Sequence, residues 1–133
     1  MAKRYLLDTN IVIAGIRGHE GVLSRLDKIE PGQLVLSSIV VGELLTGVAK
    51  SDRPTQSMRA FESITQNMGI EPVDEMVAEH YATVRATLEA RGLPIGVNDT
   101  WIAAHGLALG VTVVTDNVRE FSRVVGLETE NWV

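Results

Sequence analysis

Four acidic residues stand where their type and setting could do chemistry: Asp8, Glu43, Asp99 and Asp116. Asp8 directly follows the apolar run Tyr5-Leu6-Leu7, and Asp116 follows the β-branched run Val111-Thr112-Val113-Val114-Thr115. Glu43 shares a helical face with Ile39 and Val40, and Asp99 opens a stretch rich in apolar residues from Trp101 to Ala108. An acid in such surroundings costs free energy unless a partner meets it. Bare carboxylates brought close together repel and raise one another's pKa. A hard divalent cation resolves both problems, since Mg²⁺ prefers oxygen ligands and keeps some of its water. Such a cation acidifies a water, polarises a phosphoryl oxygen and steadies a leaving oxygen. No catalytic His, Cys or Ser motif accompanies the acids. The chemistry they point to is metal-assisted hydrolysis of a phosphodiester, with Thr9, Asn10, Thr115 and Asn117 as supporting polar neighbours.

Each acid also has a plainer use. Aspartate suits turns and caps. Asp99 or its neighbour Asn98 could cap a helix, Glu43 could pair with an arginine, and Asp116-Asn117 alone is a loop signal. The common placement of the acids carries the reading, and that placement depends on the elements around them.

Those elements follow from hydrophobic periodicity. A strand ends at Leu7, and a helix runs from Ile11 to about Gly18. Val22, Leu23, Leu26 and Ile29 mark a second helix within residues 19–30. After a Pro31-Gly32 turn, Gln33–Ser37 reads as a strand, and Ser38 as the cap of a helix from Ile39 to Lys50. A helix from Pro54 to about Met68 and a strand within residues 69–73 come next. Asp74 caps a helix from Glu75 to Ala90, with Val77, Tyr81, Val84 and Leu88 as its core stripe. A buried helix from Thr100 to Leu109, a strand at residues 111–115, a helical turn at Arg119-Glu120-Phe121 and an edge strand at residues 127–130 complete the chain. This alternation predicts an α/β fold: a three-layer α/β/α arrangement around a central, mostly parallel sheet of about five strands. In such a sheet the carboxyl ends of the strands share one edge, where ligands bind.

Composition sets the outer bounds. The length of 133 residues suits a single domain spanning 1–133, and no apolar run approaches the ~20 residues of a membrane span. The absence of cysteine excludes disulfides and thiolate chemistry, and no signal-peptide core precedes the first strand, so a cytoplasmic location is expected. Net charge is −5, whereas nucleic-acid binders usually carry a basic footprint. Clustered acids that a metal neutralises would account for part of this balance, and Arg85, Arg91, Arg119 and Arg123 flank the later motifs, as candidate phosphate contacts or as a solvated charged face. His19, His80 and His105 show no shared spacing, and His105 reads as a helix residue with a structural hydrogen bond.

Five motifs, in order and spacing, resemble the PIN-domain ribonuclease toxins of the VapC type, from bacterial type II toxin–antitoxin pairs. They are Leu7-Asp8-Thr9-Asn10; Val41-Gly42-Glu43-Leu44; Asn98-Asp99 followed by Ile102-Ala103-Ala104; Thr115-Asp116-Asn117; and Arg119-Glu120-Phe121 running through Gly126-Leu127 to Asn131-Trp132. The resemblance spans essentially the whole chain. It implies Asp8, Glu43 and Asp99 as catalytic metal ligands and places Asn117 in a fourth slot, for which the residues themselves rank Asp116 first because the chain turns there. Asn117 and Glu120 are alternatives, because strand alternation puts Thr115 and Asn117 on one face and Asp116 on the other. It further implies Mg²⁺- or Mn²⁺-dependent endonucleolytic cleavage of structured RNA such as tRNA or ribosomal RNA, which inhibits translation. A homodimer and a small DNA-binding VapB-type antitoxin that blocks the cleft, forming a higher assembly, are the implied partners. Two other readings compete. In a metal-dependent phosphatase Asp8 would be a nucleophile, but Asn10 stands where a second Asp is usual. A non-catalytic PIN-like interaction module would have no physical need for Asp8, Glu43 and Asp99 together.

Overall fold

Leu6 and Leu7 are both fully buried although neighbouring strand residues point to opposite faces, so the strand that holds them must be covered on both sides. In the computed structural model, which describes residues 2–133, that strand is Tyr5–Leu7 (β1). Met1, part of the expected 1–133 domain, lies outside the described residues. β1 pairs with Leu34–Ser37 (β2) on one side, and β2 pairs in turn with Gly69–Glu71 (β3). On its other side β1 pairs with Thr112–Val114 (β4), which carries Thr129–Glu130 (β5) at the edge. Every pairing is parallel, and the strand order is β3-β2-β1-β4-β5. The mostly parallel sheet expected from the alternation is wholly parallel among the described residues.

Thr9–Ile16 (α1) and Glu20–Asp27 (α2) link β1 to β2, and Ser38–Ala49 (α3) and Pro54–Thr65 (α4) link β2 to β3. Glu75–Ala90 (α5) and Val97–Leu109 (α6) carry the chain back past β1 to β4, and Val118–Phe121 (α7) precedes β5. Right-handed crossovers put α1–α4 on one face of the sheet and α5 and α6 on the other. The packing agrees, since α1 meets α2, α3 and α4 while α5 packs along α6. The direction of strand addition reverses between β1 and β4. That is the switch point of the sheet, where its ligand crevice opens.

Several boundaries differ from the sequence reading. Ser37, in extended conformation, caps α3 by accepting the Ile39 N–H at 3.1 Å. Ser38 is already helical, and its hydroxyl accepts from the Val73 N–H at 3.3 Å. α6 starts at Val97, with Gly96 at the cap and the Gly96 carbonyl taking both the Thr100 N–H and the Thr100 hydroxyl. Neither Asn98 nor Asp99 is therefore the cap of that helix. The last strand is shorter than expected, because only Thr129 and Glu130 reach the register of Val113 and Val114.

Gly106 sets how closely α6 approaches the sheet. A Cβ there would lie 2.5 Å from Val113 Cγ2 and 3.0 Å from Leu127 Cδ1. Val113 is stiff at χ1 and fully buried, so it has little room to give. Overpacking a core costs ~1–3 kcal/mol, against the ~1 kcal/mol that alanine gains over glycine in a helix. Gly106→Ala is therefore expected to lower stability by about 1 kcal/mol net. Gly47→Ala in α3, where a Cβ meets nothing within 4 Å, is expected to raise it by ~0.5–1 kcal/mol. Urea denaturation of the two variants checks this, and equal shifts would contradict the close approach of α6.

Candidate active site: a carboxylate cleft at the switch point

Asp8 leaves β1 and caps α1, with its Oδ1 accepting the Thr9 N–H at 2.8 Å. Its Oδ2 accepts from the Thr115 hydroxyl at 2.9 Å, a bond that joins the ends of β1 and β4 across the switch point. The Asp8 N–H reinforces this by donating to the Val114 carbonyl at 2.8 Å. Thr9 turns its own hydroxyl to Glu43 Oε1 of α3, 3.0 Å away. The arginine that might have met Glu43 is not there; a hydroxyl meets it instead.

Asp99, in the first turn of α6, is half-buried, and its Oδ2 accepts from Asn117 Nδ2 at 3.4 Å. The same Asn117 nitrogen donates to Glu120 Oε2 at 2.9 Å. Thr115, besides serving Asp8, accepts the Asn117 N–H at 3.0 Å. Asp116 points the other way, as alternation requires. It is exposed, and its Oδ1 faces Asn10 Nδ2 at 3.4 Å. The structure thus groups Asp8, Glu43 and Asp99 with Glu120 through Asn117, and leaves Asp116 at the rim with Asn10.

The electrostatics bear the mark of this crowding. Burial, with the charges of Asp99 and Glu43 adding to it, pushes the Asp8 carboxyl up to about 6 against the pull of the Thr115 and Thr9 bonds. Asp99 is raised by burial and then by Glu120, Glu43 and Asp116, with the Asn117 bond opposing. Among the described residues, no lysine or arginine forms an ion pair with any of these five acids, and the ion pairs of the chain lie elsewhere. A set of hard oxygen donors without a balancing cation fits a divalent metal. No three of the acids close into a ready-made cage among the described residues.

Of the arginines singled out by position, Arg85 is held by Tyr81 and Glu89, and Arg123 donates to the Pro94 carbonyl at 3.3 Å. Two arginines that sequence reasoning passed over share a groove. Arg17 and Arg53 line an open groove of about 660 Å³ between α1, α3 and α4, with Ile13, Leu44, Val48 and Phe61 as its apolar wall. Arg17 could have been found from its spacing, since it lies two turns beyond Asn10 on one side of α1. His105 bonds Ser37 Oγ at 2.9 Å, the structural role read for it, and so ties α6 to the cap of α3.

The PIN domain model matches residues 5–127, a span that contains all five acids. The chain belongs to the PIN-domain family, in its VapC-type branch. It is 40% identical over 98% of both chains to Ribonuclease VapC2 of Haemophilus influenzae. It is 34% identical to the tRNA(fMet)-specific endonuclease VapC of Shigella flexneri, over 97% of this chain and 98% of that one. Among solved structures, a DNA-bound VapBC from Salmonella typhimurium matches with a TM-score of 0.93 at 32% identity, covering 99% of this chain and 100% of that one. In this VapC-type chain the family span takes in the whole sheet except β5.

The raised Asp8 pKa has a consequence for stability. Folded Asp8 keeps its proton up to about pH 6, whereas an unfolded aspartate releases it near pH ~4. Between those values the folded, metal-free chain binds more protons than the unfolded one, so its stability falls as pH rises. The loss through Asp8 should reach about 3 kcal/mol above pH 6. Asp8→Asn is expected to remove that component. Urea denaturation in EDTA across a pH series would measure it, and parallel pH curves for the two chains would count against the desolvated carboxylate.

Proposed function

We propose that this chain is the toxin of a type II toxin–antitoxin pair, a Mg²⁺-dependent endoribonuclease that cuts structured RNA and thereby inhibits translation. The observation that carries the proposal is the cluster of acids at the switch point with no ion pair to a basic side chain among the described residues. Asp8, Glu43 and Asp99 would hold Mg²⁺, or Mn²⁺ in its place. Glu120 joins them as the fourth acid through Asn117, and Asp116 stands outside as a rim carboxylate. Bound there, the cation would supply Lewis acidity at the phosphoryl oxygen and a water acidified for attack on phosphorus.

The chain's own residues do the positioning. Thr115 and the Thr9 N–H hold the two Asp8 oxygens and leave a lone pair free on each for a ligand. The Thr9 hydroxyl fixes Glu43, and Asn117 spaces Asp99 from Glu120. Burial of Asp8 excludes water and strengthens each charge interaction in the cleft. The relative named for tRNA(fMet) supports structured RNA as the substrate class.

The partner side of the proposal is a VapB-type antitoxin, by analogy with relatives solved as VapBC complexes. The apolar groove between α1, α3 and α4 offers such a partner a surface, and net charge −5 favours a basic segment. A homodimer of this chain and a cytoplasmic site of action complete the reading. No helix among the described residues is long and apolar enough to cross a membrane.

The test uses the chain freed of antitoxin and incubated with total cellular RNA. Discrete fragments are expected with Mg²⁺ and none with EDTA. Asp8→Asn should cut about a hundredfold more slowly or worse while keeping its fold, since metal stabilisation of a transition state is worth several kcal/mol. Cleavage by Asp8→Asn at the wild-type rate would remove Asp8 from the site, and cleavage in EDTA would remove the metal.

A further inference from the structure

A second hollow, of about 390 Å³, opens off the carboxylate cleft along α1. Asn10 and Asp116 bound it at the cleft end, and Arg17 and His19 at the far end. Asn10, Ala14 and Arg17 recur at helical spacing and so lie along one ridge of α1. At ~1.5 Å rise per residue, Arg17 starts about 10 Å from Asn10, and its long side chain can cover part of that gap. Arg17 is exposed and, among the described residues, its guanidinium has no ion pair and no hydrogen bond. His19 Nδ1 accepts the Val22 N–H at 3.3 Å, which holds the proton of the neutral ring on Nε2 as a donor.

We propose that Arg17, with His19 beside it, binds a backbone phosphate of the RNA strand next to the phosphodiester that is cut. This inference rests on the ribonuclease reading above. A polyanion approaching five clustered carboxylates on a chain of net charge −5 meets repulsion around the cleft. A cation just outside the acids, and not neutralised by them, gives the flanking strand a favourable contact. A guanidinium is suited to this, since its forked donors match phosphate oxygens. The hollow also meets the cleft directly at Asn10 and Asp116, so a strand reaching the scissile position passes over it. An acidic residue of a protein partner is the competing occupant of Arg17, and the test separates the two.

The binding of a fluorescent single-stranded oligoribonucleotide to the antitoxin-free chain is followed by anisotropy between about 50 and 200 mM salt, in the cleavage-silent Asp8→Asn background. Arg17→Gln should weaken binding several-fold at the low-salt end. It should also reduce the slope of log affinity against log salt by about 0.7, the value for one phosphate contact on a single strand. Arg17→Lys should keep the slope, and Lys28→Gln, which alters a residue lining neither cavity, should leave both quantities unchanged. In the cleaving chain, Arg17→Gln should raise KM several-fold with kcat within about twofold. An unchanged salt slope in Arg17→Gln overturns the inference, as does intact RNA binding with weakened antitoxin binding. If the wild-type chain cuts no RNA, the ribonuclease reading and this inference fall together. Cleavage with an unchanged slope removes the inference alone.

Discussion

The buried carboxylate of Asp8 is the constraint on which the rest of the site depends. It sits at the end of β1, 6% exposed, and each oxygen receives one hydrogen bond from the protein. Those bonds come from the first turn of α1 and from the end of β4. A single side chain thus pins the strand, the helix and the neighbouring strand where the sheet reverses direction. Burial without a counter-charge is costly for an ionised group, and here the neighbouring acids increase the cost. A fold that keeps such a group dry gives up stability whenever the carboxyl is ionised and unpartnered.

From Asp8 the polar contacts spread outward in two arms. One passes through the Thr9 hydroxyl to Glu43 on α3. The other passes from Thr115 to Asn117 and from there to both Asp99 and Glu120. Every donor in it is neutral, and all but the Asn117 N–H, which meets the Thr115 hydroxyl, face a carboxylate, so the network orients the acids without neutralising them. Behind it, His105 joins α6 to the cap of α3 in the dry interior, and burial lowers its pKa and favours the neutral ring. The two helices that carry Asp99 and Glu43 are thereby held together from within the core.

Around β5 the chain is stabilised in the usual way, by opposite charges. Lys3 meets Glu128 and Glu130, and Arg25 meets Glu130 while lying over Trp132, which packs on Tyr5. These contacts tie the C-terminal segment to β1 and α2. Exposed pairs of this kind are worth little each. Their significance lies in the contrast: the same chain pairs its charges near Glu130 and leaves them unpaired around Asp8.

The sequence by itself determined the α/β alternation, because the period of apolar residues switches between two and three-to-four at each element. It also determined that Asp8 and Asp116 follow strands, and hence that they reach the carboxyl edge of a parallel sheet. Alternation even indicated that Asn117 and Asp116 face apart. Three things were decided only by the tertiary structure. The strand order put β1 beside β4, and long-range pairing of that kind leaves no local trace. The start of α6 at Val97 placed Asp99 inside a helical turn, free of capping, because the Gly96 carbonyl found Thr100. The third is the direction in which the side chains of Asp116 and Glu120 turn. A turn too short to show periodicity swung Glu120 inward to Asn117 and left Asp116 outside.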